Sequence, residues 1–225
     1  MKRILMISLL NCLLLCVSMS CAYAQSTLTQ QQKWEQKMER YEKLDAQSPP
    51  PSDVILFVGS STIENWKTLK DDFADKAVLN RGVSGTKTID LYTYRDRLIT
   101  PYDAKQIFIY EGDNDIGLRW STDRIVEQFG ILFNAIRTAK PKAEIIFISI
   151  KPSPRRLKDK AQVEEVNRKI RQFIEQQDRA KYADVYTEML DTKGDLIPTH
   201  YREDGLHLTA EGYGIWKKVI SRFIP

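Results

Sequence analysis

The chain has 225 residues, of which 42% are hydrophobic and 28% charged, with a formal net charge of +4. That length and balance fit one globular domain with a single core and exclude a disordered or fibrous chain. So mild a charge gives no footprint for nucleic acid.

The first 24 residues carry Lys2 and Arg3, an apolar run from Ile4 to Val17 and a small-residue site at Ala22-Tyr23-Ala24. This predicts a signal peptide over 1–24 and export to the periplasm or the exterior. The alternative is a lipoprotein anchored at Cys21, although Ser18 stands where a large aliphatic residue is expected. The apolar run is shorter than the roughly 20 residues a membrane span requires, so no stable membrane insertion is expected after cleavage. Cys12, Cys16 and Cys21 all lie in this leader, and its removal leaves no cysteine and a net charge of +2. Disulfides, thiolate catalysis and cysteine-bound metals are then excluded.

Residues 25–51 predict an N-terminal helical arm and proline linker. Trp34, Met38, Tyr41 and Leu44 recur on one helical stripe suited to packing on the body, and Pro49-Pro50-Pro51 must end the helix. From residue 52 to 225 short apolar runs alternate with longer amphipathic stretches. The runs Val54 to Val58, Ala77 to Leu79, Ile107 to Tyr110, Glu144 to Ile150 and Ala183 to Tyr186 read as buried parallel strands. Helices are expected near Thr62 to Leu69, Ile89 to Ile99, Thr122 to Ala139, Asp159 to Gln177 and Ala210 to Phe223. This alternation predicts an α/β fold, a three-layer doubly wound (flavodoxin-like) sandwich around a central five-stranded parallel sheet. In such a sheet chemistry is sought just past the carboxyl ends of the strands.

Four loops there carry candidate groups. Gly59-Ser60-Ser61-Thr62 passes from strand to helix, where a serine stands at the positive helix end, or where one of these hydroxyls merely caps the helix. Asn80 to Thr86 contains Ser84 and Gly85, and Glu111-Gly112-Asp113-Asn114-Asp115 offers a side-chain amide suited to a developing oxyanion. Either segment reads equally as a turn. Asp204 lies three residues before His207, one of only two histidines, a spacing that serves a general base or a surface cap.

Taken together and in order, these loops resemble the four sequence blocks of the SGNH (GDSL-like) hydrolase superfamily, with coverage from about Val54 to the C-terminus. The resemblance implies Ser61 as nucleophile, Asp204 and His207 as its supporting dyad, and the Ser61 amide, Gly85 and Asn114 as oxyanion donors. Ser60 stands where the family pattern has aspartate, which puts local hydrogen bonding in question more than catalysis. Ser84 is the competing nucleophile.

An EF-hand reading of Asp113 to Gly117 fails because Arg124 occupies the position that needs glutamate, and the Gly85-Thr86-Lys87-Thr88 segment lacks phosphate-loop spacing. No Gly-x-Ser-x-Gly elbow is present, and two histidines without cysteine disfavour zinc. The sequence thus predicts a cofactor-free serine esterase, acting through an acyl-enzyme on a small-molecule or glycan ester, with short acyl groups such as O-acetyl favoured. A lysophospholipase or thioesterase, or a noncatalytic carbohydrate-binding protein of the same fold, are the alternatives. Arg81, Lys151, Arg155 and Arg156 could meet an acidic substrate or be structural; His200 is expected at the surface or in a loop, and Trp66, Tyr92, Tyr94 and Trp120 in the core or at the rim. Oligomeric state is not legible.

Overall fold

The computed structural model describes residues 28–225, so the leader lies outside the described residues. The chain divides into two compact units at Gln36/Lys37. Of the first, the described part is the start of helix α1 (Gln30–Gln47), where Thr29 and Gln32 form a capping box: Gln32 N donates to Thr29 Oγ1 (3.2 Å) and Thr29 N to Gln32 Oε1 (2.8 Å).

In the second unit, β1 (Val54–Gly59), β2 (Val78–Gly82), β3 (Ala104–Tyr110), β4 (Glu144–Ile148) and β5 (Ala180–Ala183) form one sheet in the order β2-β1-β3-β4-β5. All neighbours run parallel. Each crossover therefore needs a helix, and the reversal of direction beside β1 makes the sheet doubly wound.

Every residue of β1 is buried, because both faces are covered. On one face Ile55, Phe57, Phe108 and Tyr110 join Trp66 and Trp216, with the Phe57 and Phe108 rings stacked at 4.6 Å and Tyr110 edge-on to Trp216 at 5.0 Å. On the other, Phe147 meets Phe129 of the long helix over Thr122–Ala139, whose buried Ile125, Phe129, Leu132, Phe133 and Ile136 form a single stripe.

Several expected boundaries shift, each for a local reason. The fifth strand is Ala180–Ala183 and not Ala183 to Tyr186: Asp184 accepts from Thr187 N (3.0 Å) and caps a short helix, Val185–Glu188, where a strand was expected. The fourth strand stops at Ile148 because Ser149 Oγ and the Asn167 side-chain amide take over the backbone partners. Ser149 Oγ accepts from Val185 N and Tyr186 N, both at 2.9 Å, while Asn167 pairs with both Ile150 N and O at 2.8 Å. The helix expected over Thr62 to Leu69 is broken into α2 (Ser61–Glu64) and α3 (Leu69–Asp72), since Trp66 turns inward and Asp72 accepts from both Trp66 Nε1 (2.8 Å) and Thr68 Oγ1 (2.6 Å). The stretch Ile89 to Ile99 likewise splits at Tyr94 into α4 (Thr88–Thr93) and α5 (Arg95–Leu98). Asp113–Gly117, expected as loop, is a short helix, α6.

In the second unit's part of α1, Met38 and Tyr41 are buried and Tyr41 Oη donates to Gly82 O (2.6 Å), but Leu44 is 48% exposed and leaves the stripe incomplete. After α7 (Thr122–Ala139) come α8 (Lys160–Ile174), α9 (Val185–Glu188) and α10 (Ala210–Ile220). Among the described residues no helix is long and apolar enough to cross a membrane.

Candidate active site

Gly59 ends β1 with φ +137°, and a Cβ there would lie 2.1 Å from Tyr110 O. Only glycine allows this close approach to β3. The chain then turns through Ser60, whose amide donates to Tyr110 O (3.2 Å), so that Ser61 becomes the first residue of α2. At that position its own amide has no acceptor within the helix. The turn is held from the far end of the chain, where Tyr213 Oη donates to Thr62 O (2.9 Å).

Tyr201 and Leu208 pair in an antiparallel bridge, closing the loop that carries Asp204 and His207. Within it Asp204 Oδ1 accepts from Leu206 N and His207 N, both at 2.9 Å, while Oδ2 lies 2.5 Å from His207 Nδ1. Partial burial raises the Asp204 carboxyl, but the hydrogen bonds from His207 and Leu206 outweigh it and hold the group well below the usual carboxylate range. His207 Nε2 in turn lies 3.0 Å from Ser61 Oγ. With Nδ1–H directed at the carboxylate, Nε2 is left as the acceptor for the serine proton.

Gly85 is exposed in the loop after β2, with φ +83°. Asn114 sits in α6 and donates one amide hydrogen to Thr86 O (2.8 Å), which leaves the second for a ligand. Ser84 lies on the same loop as Gly85, its amide donating to Glu64 Oε2 (2.6 Å); the histidine contact is made by Ser61.

The candidate cations divide. Arg81 is structural: 5% exposed, it lies between the Tyr41 and Tyr102 rings, donates to Tyr102 Oη (2.6 Å) and pairs with Asp45. Lys151, also buried, and Arg156 both pair with Asp113, at 3.2 and 2.7 Å. Burial alone would raise the Asp113 carboxyl, yet these two cations bring it below its ordinary value. Arg155 is exposed, and its amide donates to Gly205 O (3.0 Å). The segment Lys151–Arg156 thus ties α6, which carries Asn114, to the Asp204–His207 loop. His200, expected at the surface or in a loop, ends the short 3-10 turn Pro198–His200 and is 3% exposed beneath the last helix, with Nε2 3.5 Å from Glu211 Oε1; the start of α10 covers it. Trp66 is core, whereas Tyr92, Tyr94 and Trp120 are half-buried.

Sequence reasoning missed a buried acidic layer under the site, Glu111 and Asp115. Its one signal is a carboxylate directly after the apolar run Ile107 to Tyr110. Burial pushes the Asp115 carboxyl up to about 6, against the lowering hydrogen bonds of Thr88 and with Asp90 adding to the rise. An acid whose folded value is raised loses stability as pH climbs from its unfolded to its folded value. The Asp115→Asn variant should therefore gain on the wild type by about 3 kcal/mol between about pH 4 and pH 7, read by urea unfolding. A difference that stays flat with pH would mean that Asp115 titrates normally.

A serine, a histidine and an aspartate so joined, the first at the end of β1 and the others before the last helix, form an arrangement suited to acyl transfer. Residues 28–215 match the GDSL-like lipase/acylhydrolase family model, and the chain belongs to that family. It is a carboxylic ester hydrolase. Curated proteins give no match. Among solved structures, one from Streptococcus pneumoniae named for platelet activating factor superposes with TM-score 0.78 at 21% identity, covering 94% of this chain and 99% of that one. A GDSL-like lipase from Bacteroides thetaiotaomicron gives 0.71 at 21% identity over 83% and 96%. An acetyl-xylooligosaccharide esterase from Geobacillus gives 0.64 at 16% over 77% and 94%. At these identities the likeness establishes the fold, the doubly wound sheet predicted from the sequence.

Proposed function

We propose that the protein is a serine esterase for short acyl groups, O-acetyl esters of carbohydrates above all, with Ser61 as nucleophile. The observation that carries this reading is the line of contacts from Asp204 through His207 to Ser61 Oγ, at 2.5 and 3.0 Å. His207 takes the Ser61 proton as Oγ attacks the ester carbonyl. The Ser61 and Gly85 amides and the Asn114 side chain receive the oxyanion. Collapse of the tetrahedral intermediate releases the alcohol, which takes the proton from His207, and water then enters by the same route in reverse to free the acid.

Two considerations favour small, polar substrates. Asp204 and His207 retain 43% and 26% side-chain exposure and Gly85 is exposed, so the site is open to water and to a hydrated substrate. The acetyl-xylooligosaccharide esterase of the same fold provides a precedent for the chemistry. The leader-like composition of residues 1–24 supports action outside the cytoplasm, with 52–225 as the hydrolase domain.

The test is a p-nitrophenyl ester series from acetate to palmitate, combined with phosphonate labelling and mass mapping. Fastest turnover on acetate, with the label on Ser61, is the expected result. A rate that rises with chain length points to a lysophospholipase-type acylhydrolase, whereas a label on Ser84 removes Ser61 from the mechanism. Inertness to every ester and to the phosphonate favours the carbohydrate-binding reading.

A further inference from the structure

Gly85 and Asn114 do not sit on rigid elements: one lies in a turn, the other in the five-residue α6. Beneath both is Glu111, the first residue after β3 and 1% exposed. Its Oε1 lies 2.7 Å from Thr86 Oγ1, and its buried Oε2 has no partner among the described residues. Thr86 Oγ1 also lies 2.8 Å from Val83 O. A hydroxyl has a single hydrogen, and a main-chain carbonyl can only accept it. If Thr86 donates to Val83 O, the hydrogen in the contact with Glu111 must come from the carboxyl.

An ionised Glu111 would leave two acceptors facing each other in one of these contacts. Its surroundings agree with the neutral form: burial, the charge of Asp115 and those of Asp90 and Asp113 push this carboxyl well above its ordinary range, against the hydrogen bond of Thr86. The main chain of Thr86 then does the remaining work, its carbonyl accepting from Asn114 Nδ2 at 2.8 Å. From the opposite side the same turn is tied by Ser84 N to Glu64, itself paired with Lys37 at 2.7 Å.

We propose that Glu111, donating a hydrogen bond to Thr86, is a positioning residue that sets both the turn carrying Gly85 and the side-chain amide of Asn114. This rests on the reading of Gly85 and Asn114 as oxyanion donors. A buried carboxyl that merely fills the core would affect folding and leave turnover per folded molecule alone.

The experiment measures kcat and KM on p-nitrophenyl acetate for Glu111→Ala, Glu111→Gln, Thr86→Val, the Glu111→Ala/Thr86→Val pair and Asn114→Ala, each normalised to phosphonate-titrated sites. Misplaced donors lower kcat by about tenfold to a hundredfold in Glu111→Ala with KM within about twofold, because the oxyanion forms only after binding. Glu111→Gln, whose amide replaces the O–H donor, should recover most of that rate. The double variant should be no slower than the slower single, since both remove one contact. Should Glu111→Ala fail to fold, the near-isosteric Thr86→Val carries the same expectation.

Wild-type turnover per site in Glu111→Ala and Thr86→Val, with Asn114→Ala slow, overturns this proposal alone. A Gln variant as slow as the Ala variant also overturns it, since the donor geometry would then not matter. If Asn114→Ala itself keeps the wild-type rate, the oxyanion reading falls and takes the positioning role with it.

Discussion

Ser61→Ala and His207→Ala should each lower kcat on p-nitrophenyl acetate by about a millionfold, and the double variant should be no worse than either single. The non-additivity follows from the 3.0 Å contact between Ser61 Oγ and His207 Nε2: nucleophile and base act as one unit, so losing either loses both. Asp204→Asn should cost about ten-thousandfold by a different route. An amide group facing His207 Nδ1 drives the imidazole hydrogen to Nε2, and the base then confronts the serine with a donor. Leu206 N and His207 N can still bond the Asn oxygen, so the loop should keep its shape. Singles whose losses multiply in the double would show that the two residues do not act together, and the Ser61–His207 mechanism would have to be abandoned.

The largest expected effect on stability is at Lys151. Its side chain is fully buried, 3.2 Å from Asp113 and 3.2 Å from Tyr110 Oη. Replacing it by methionine keeps most of the volume but leaves the buried Asp113 carboxylate with Arg156 as its one remaining cation among the described residues. Breaking a buried pair from one side costs about 3 kcal/mol or more, because the partner's desolvation is no longer offset. For a chain of this size that lowers Tm by roughly 6–12 °C. Urea unfolding of Lys151→Met should show the midpoint falling with an unchanged slope. Adding Asp113→Asn should return part of the loss, because the stranded charge is gone. A Lys151→Met variant as stable as the wild type would mean that Arg156 alone compensates Asp113.

The strands were legible where apolar residues run unbroken, as in Val54 to Val58 and Ile107 to Tyr110, because a sheet covered on both faces needs no alternation. Legibility failed where a single polar side chain took over a backbone partner. Asp184 converts an alternating, strand-like stretch into a capped helical turn, and Asn167 reaches across 17 residues to end β4; neither role is visible without the partner in place. Ser61 was readable because its short block stands at the end of β1, and Asp204 and His207 because theirs stands just before the last helix. The roles of Arg81, Lys151 and Arg156 were not, since an arginine or lysine reads the same in sequence whether solvated or buried against a carboxylate. Glu111 was read only as part of the loop or turn Glu111 to Asp115, because an acid after an apolar run looks the same in sequence whether it is solvated or buried.

The contact between Ser61 and His207 spans 146 residues of sequence, and the nucleophile's turn is fastened by Tyr213 of the last helix. A chain folded only as far as the first strands can therefore not bring Ser61 and His207 together. Catalysis begins only when the final helix has docked, which makes ester turnover a reporter of completed folding. Contacts of such long range form slowly, so on the Ser61–His207 reading the folding chain stays chemically silent until these distant segments have met.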